Sequence, residues 1–169
     1  LTKSQSMVLK DVNRDLVSST RMFRIIQGDV GSGKTIVSFL SIANVIESKH
    51  QCALMAPTEI LARQHYELAK KVFSKNDFKI NFLTGKTEPN KKKKIIIDLE
   101  KGNIDLIIGT HSLFQKKINF KKLGLAVIDE QHKFGVKQRS DLAIKGGGNC
   151  DVLLMSATPI PRTMMMSLY

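Results

Sequence analysis

Gly28-Asp29-Val30-Gly31-Ser32-Gly33-Lys34-Thr35 is the stretch on which the fold turns. It matches G-x-x-x-x-G-K-[ST], a turn whose residue types follow from phosphate chemistry. Glycines let the backbone wrap tightly enough for successive N–H groups to converge on phosphate oxygens. A helix that follows points its positive end at the same anion. Upstream, Met22-Phe23-Arg24-Ile25-Ile26 reads as a short strand; downstream, residues 33 to about 48 read as a helix. Its Ile36, Val37, Phe39, Leu40, Ala43 and Ile46 lie on several sides, which predicts a helix buried nearly all round. A strand, a glycine turn and a helix in that order give the pattern its meaning. Gly28, Asp29, Gly31, Ser32 and Gly33 are then the cradle, Lys34 the charge on the β- and γ-phosphates, and Thr35 a ligand to Mg²⁺. The expected cofactors are ATP and Mg²⁺.

An ATP site of this kind needs an acid at the end of another buried strand. Leu125-Ala126-Val127-Ile128 is such a strand, and Asp129-Glu130 follows it directly. Asp129 would hold the metal through water, and Glu130 would orient and polarise the attacking water. Other short apolar runs are Cys52–Ala56, Ile80–Leu83, Ile104–Ile108 and Val152–Met155. Runs of this length bounded by polar residues fit strands covered on both faces of a parallel sheet. Between them, Thr58 predicts the cap of a helix carrying Leu61, Leu68, Ala69, Val72 and Phe73. Thr87 and Pro89 start another helix, and Gly102 stops it. The expectation is one α/β domain over residues 1–169, a RecA-like P-loop domain with a mostly parallel central sheet and helices on both faces.

Composition agrees with a single packed domain. The 169 residues are 42% hydrophobic and 25% charged. No apolar stretch reaches the length of a membrane span, and the first residues do not form a signal peptide. Leu1 in place of an initiator methionine points to a piece of a longer or processed protein. Cys52 and Cys150 suit no disulfide framework or metal site and read as small buried hydrophobes; a reducing cytoplasm is the expected setting. His50, His65, His111 and His132 lack the close spacing of zinc ligands. The net charge of +12 favours an anionic partner such as nucleic acid, although abundant lysine also reflects compositional bias. Lys91–Lys94 reads as a solvated helix face, Gly146–Asn149 as a surface loop, and Met164–Met166 as packing.

Asp129-Glu130-Gln131-His132 resembles motif II of the superfamily 2 helicases. Leu1-Thr2 with Gln5 looks like the tail of their Q motif, Ala56–Ala62 like motif Ia, Gly109-Thr110-His111 like motif Ib, and Ser156-Ala157-Thr158 like motif III. Together with Thr158–Thr163 these segments resemble the RecG family of bacterial branched-DNA helicases; the transcription-repair coupling translocases share Pro159–Thr163. Gln131 stands where the RecG pattern usually has Glu, and Ser32 where it has a bulkier residue. The resemblance covers essentially the whole chain. It implies that Gln5 reads adenine, that Lys34, Asp129, Glu130 and His132 serve ATP hydrolysis, and that Thr58, Arg63, Thr110 and His111 face the DNA backbone. It further implies that Ser156 and Thr158, with His132, couple nucleotide state to DNA grip. Read without the family, Arg63 is equally a solvated helix residue, and Ser156 with Thr158 a helix cap.

The family also carries a second RecA-like domain, with an arginine finger, and a wedge domain. The resemblance therefore implies the ATP-binding half of an ATP-dependent motor acting on Holliday junctions and stalled forks in recombination and repair. By itself such a half would bind ATP weakly and scarcely hydrolyse it; Arg162 is the one candidate substitute for the finger. The alternatives are a nucleotide-dependent DNA-binding switch without significant hydrolysis and the motor domain of a transcription-repair coupling translocase.

Overall fold

The computed structural model describes residues 1–115, 117–129 and 150–157. Six strands form one sheet in the order β1-β6-β5-β2-β4-β3, with every pairing parallel. They are β1 Phe23–Gln27, β2 Gln51–Met55, β3 Ile80–Leu83, β4 Leu106–Gly109, β5 Leu123–Asp129 and β6 Asp151–Ser156. Each of the apolar runs is a strand, displaced by no more than two residues from its expected ends. The helices among the described residues are α1 Lys3–Val17, α2 Lys34–Glu47, α3 Glu59–Val72 and α4 Pro89–Lys101, with a 3-10 turn at His111–Phe114.

Alternation along the strands divides the core in two. Cys52, Leu54, Leu125 and Val127 join the cluster containing Phe39, Ile42 and Phe73, so α2 and α3 cover that face. Ala53, Met55, Ala126 and Ile128 join Ile95 and Leu99 of α4 on the other. β2 is buried at all five positions, as a central strand covered on both sides should be. Cys52 and Cys150 belong to opposite clusters, and burial pushes both thiols up, Cys150 to about 12. They pack as inert hydrophobes.

Helix α1 is an element that the sequence reading did not anticipate. Its Val8, Val12 and Leu16 recur at four-residue spacing and pack into the α2–α3 face, with Val12 fully buried. This corrects the reading of α2. Ile36, Asn44 and Glu47 are exposed, so α2 is not enclosed all round; its extra apolar surface is covered by α1. Burying a Val stabilises by about 1.5–3 kcal/mol. The half-exposed Arg24–Asp15 ion pair (2.6 Å) between α1 and β1 contributes no more than about 1 kcal/mol. Apolar packing is thus what seats α1.

At the amino ends of the strands, one buried amide fastens three segments. Gln51 Nε2 donates to the carbonyls of Leu99 (3.0 Å) and Ile104 (2.8 Å), and Lys122 N–H donates to Gln51 Oε1. Gly102 ends α4 in the left-handed conformation at φ 77°. Lys91, Lys93 and Lys94 are exposed as expected, while Lys92 donates to Gln115 Oε1. No described helix is long and apolar enough to cross a membrane.

Candidate nucleotide and nucleic-acid site

Because all six strands run the same way, every described candidate residue beyond Gln5 falls at or just past their carboxyl ends, where open α/β sheets bind ligands. β1 runs into Gly28, β6 ends at Ser156, β5 ends at Asp129, β2 leads to Thr58, and β4 to Thr110 and His111. Glu130, His132 and Thr158 lie outside the described residues, as do Gln131, Arg162, residues 146–149 and Met164–Met166.

The loop after β1 is anchored by Gly28 N–H, which donates to the Ser156 carbonyl (3.2 Å). Gly31 and Gly33 then adopt φ 82° and 85°, a region that L side chains strain to enter. Gly33 caps α2 without any side-chain hydrogen bond. The N–H groups of Gly31, Gly33, Lys34 and Thr35 meet no acceptor among the described residues. Four donors left open around one helix end form a cradle for an anion. Lys34 Nζ curls into it, donating to the carbonyls of Gly28 (2.5 Å) and Asp29 (2.8 Å), with Ser32 Oγ at 3.4 Å.

Gln5 reaches this loop from α1. Its Oε1 accepts from Thr2 N–H (2.9 Å) while Gln5 N–H donates to Thr2 Oγ1 (3.2 Å), a reciprocal capping box. Its Nε2 donates to the Ser32 carbonyl (2.9 Å). A Cβ on Gly33 would push the Gln5 amide off its bond to Ser32, while the positive φ is what requires glycine there.

Asp129 is nearly buried at the end of β5, and its Oδ2 lies 2.6 Å from His65 Nε2. His65 had given no sign of a role, because its partner is 64 residues away along the chain. The available signal was its place on α3: it shares the buried side with Ala62 and Ala69, where a histidine needs a polar partner. Asp129 Oδ1 and the Thr35 hydroxyl have no partner among the described residues. Those residues also contain no cluster of three or more His, Cys, Asp or Glu. One carboxylate and one hydroxyl suit Mg²⁺, which keeps several waters and takes phosphate oxygens, and do not suit zinc.

Further along the edge, exposed Thr58 caps α3, its Oγ1 accepting from Leu61 N–H (3.3 Å). Arg63 stacks 4.9 Å above the Phe82 ring and lies 3.9 Å from Glu59, with its guanidinium side exposed. Thr110 and His111 differ: His111 is exposed, whereas Thr110 is buried with its hydroxyl 3.4 Å from Ser112 Oγ.

The DEAD/DEAH box helicase family model matches residues 2–167. The chain belongs to that family. Among curated proteins it is 48% identical to the ATP-dependent DNA helicase RecG of Thermotoga maritima and 46% identical to that of Aquifex aeolicus. Both matches cover the whole chain and 22% of the relative, so the chain spans about a fifth of their length. Among solved structures, RecG bound to a three-way DNA junction matches with a TM-score of 0.86 and 44% identity, over all of this chain and 22% of that one. The DEAD-box helicase Mss116, at 23% identity and a TM-score of 0.75, shares the fold.

Proposed function

We propose that this DEAD/DEAH box chain is the ATP-binding half of a RecG-type motor that remodels branched DNA. The observation that supports the reading is the glycine turn at Gly31–Thr35, with four N–H groups that meet no acceptor among the described residues and the Lys34 ammonium curled beside them. Mg·ATP, when bound, supplies the phosphoryl group whose transfer to water drives the motor. Backbone N–H groups of the cradle, together with Lys34, bind the phosphates; Thr35 and Asp129 hold the metal and its waters. Gln5, whose amide keeps one spare donor hydrogen and one spare lone pair beyond its bonds to Thr2 and Ser32, faces adenine. Glu130 orients the attacking water, and Ser156, Thr158 and His132 link that chemistry to DNA grip.

On the DNA side, the exposed set is Thr58, Arg63 and His111, groups of the kind that position a phosphate backbone. Thr110, being buried, serves that surface through its backbone. The relative captured on a three-way junction supports branched DNA as the substrate. A second RecA-like domain and a wedge domain of the same full-length protein complete the machine.

Calorimetric titration of Mg·ATP into the chain, beside Lys34→Ala, tests this directly. Removing a buried-phosphate cation costs about 2–5 kcal/mol in comparable ion pairs, so binding should fall at least tenfold. Equal affinity in both proteins would sink the assignment. Phosphate release measured with a three-way junction separates the motor from a binding switch: the full-length protein should turn over, and loss of turnover in Glu130→Gln identifies Glu130 as catalytic.

A further inference from the structure

Helix α3 buries Ala62, His65 and Ala69 toward the sheet, and His65 is the one of the three with a polar head. At 8% exposure, it places Nε2 2.6 Å from Asp129 Oδ2. An ionised carboxylate only accepts, so Nε2 carries the proton and donates it. Asp129 Oδ1 is left without a partner among the described residues. The two oxygens thereby differ: Oδ2 is held by His65, and Oδ1 is bonded to none of the described residues.

The same helix begins at the other surface. Thr58 caps it, and His65 follows seven residues later, about 10 Å along the axis at 1.5 Å per residue. A second route runs through the sheet, where Ile128, just before Asp129, is in register with Met55, three residues before Thr58. Two connections thus join the edge bearing Thr58 and Arg63 to the acid at the end of β5: the β2–β5 ladder and the His65 imidazole.

We infer that His65 is a positioning residue, which fixes the orientation of Asp129 and ties that carboxylate to helix α3 and its DNA-facing end. The inference rests on the proposed nucleotide site. It assigns to helix α3, beyond the motif Ia segment, a side chain that acts on metal–nucleotide binding without touching nucleotide or DNA. A hydrogen bond behind a metal-binding carboxylate has the effect of any such support: its loss weakens metal affinity by about 10–100-fold.

The test uses the full-length protein carrying these residues, with a fluorescent ATP analogue and Mg²⁺ as the varied component. His65→Leu removes the donor, His65→Asn keeps a polar group that falls short of Oδ2, and His65→Gln restores a donor at comparable reach. The Mg²⁺ concentration for half-maximal nucleotide binding should rise about tenfold or more in the Leu and Asn variants, and stay within about threefold of wild type in His65→Gln. Urea unfolding without nucleotide reports any plain loss of stability. An unchanged Mg²⁺ dependence in whichever of the Leu and Asn variants folds overturns the inference, as does a Gln variant as impaired as Asn. Lys34→Ala separates the two readings. If it leaves nucleotide binding intact, the proposed site itself fails; if it abolishes binding while the His65 variants behave as wild type, only the positioning role fails.

Discussion

Two helices begin at the same edge of the sheet and end their first turns differently. Helix α2 is capped by Gly33 in a left-handed conformation, with no side chain turned back on its N–H groups. Helix α3 is capped by Thr58 in an extended conformation, and the hydroxyl takes up Leu61 N–H. Both carry the partial positive charge of a helix start. One leaves its donors without an acceptor among the described residues, as the proposed nucleotide site needs; the other satisfies a donor with its own cap and lies beside Arg63 and Glu59. Parallel topology brings both ends to one edge, and the residue at each cap decides whether a first-turn donor is taken up by a side chain.

Breaking the open cap should have the largest effect. Gly33→Ala forces a Cβ into the left-handed region and into the Gln5 amide, a cost of about 1–2 kcal/mol from backbone strain alone. Urea denaturation should show that loss, and nucleotide affinity should fall with it. Wild-type affinity in a stable Gly33→Ala protein would mean the cap geometry is incidental. Thr58→Ala should cost about 1 kcal/mol of stability and leave nucleotide affinity intact, since it removes only a cap. If calorimetry found nucleotide affinity falling as far as in Gly33→Ala, the two ends would not be functionally distinct.

The smallest effect is expected far from either helix start, at the amino ends of the strands. Asp151 accepts Met22 N–H at 2.7 Å, yet burial raises its carboxyl above the usual aspartate range. A raised acid binds its proton more tightly folded than unfolded. Its stabilisation is full below the unfolded value of about 4 and is lost as pH rises through the folded value. Asp151→Asn keeps an oxygen for Met22 and escapes that loss. Unfolding at pH 7 should find it equal to or slightly more stable than wild type, with the advantage gone below about pH 4. A marked destabilisation at pH 7 would show that the charge itself holds this edge.

The sheet was legible because parallel strands covered on both faces must be short continuous apolar runs, and Leu125–Ile128 or Val152–Met155 admit little else. The cradle was legible because its glycines and lysine are dictated locally. Helix α1 was legible in principle, through the Thr2-x-x-Gln5 capping box and the spacing of Val8, Val12 and Leu16, but Gln5 drew attention as a base reader and not as a cap. The dual use of its amide, on Thr2 and on Ser32, depends on where α1 docks. His65 with Asp129, and the burial of Thr110 beside its exposed neighbour, are products of tertiary packing that no local pattern encodes.

The order of the strands also bears on the protein's birth. β1, which leads into the cradle, pairs among the described residues with β6 alone. The bond from Met22 to Asp151 spans 129 residues. A ribosome adding roughly 5–20 residues per second delivers that partner on the order of ten seconds after β1 has emerged. Throughout that interval the phosphate loop lacks its Ser156 anchor, and β1 has an unpaired edge. The nascent chain can therefore assemble β2 through β5 first, and the loop after β1 gains its anchor only when β6 closes beside β1.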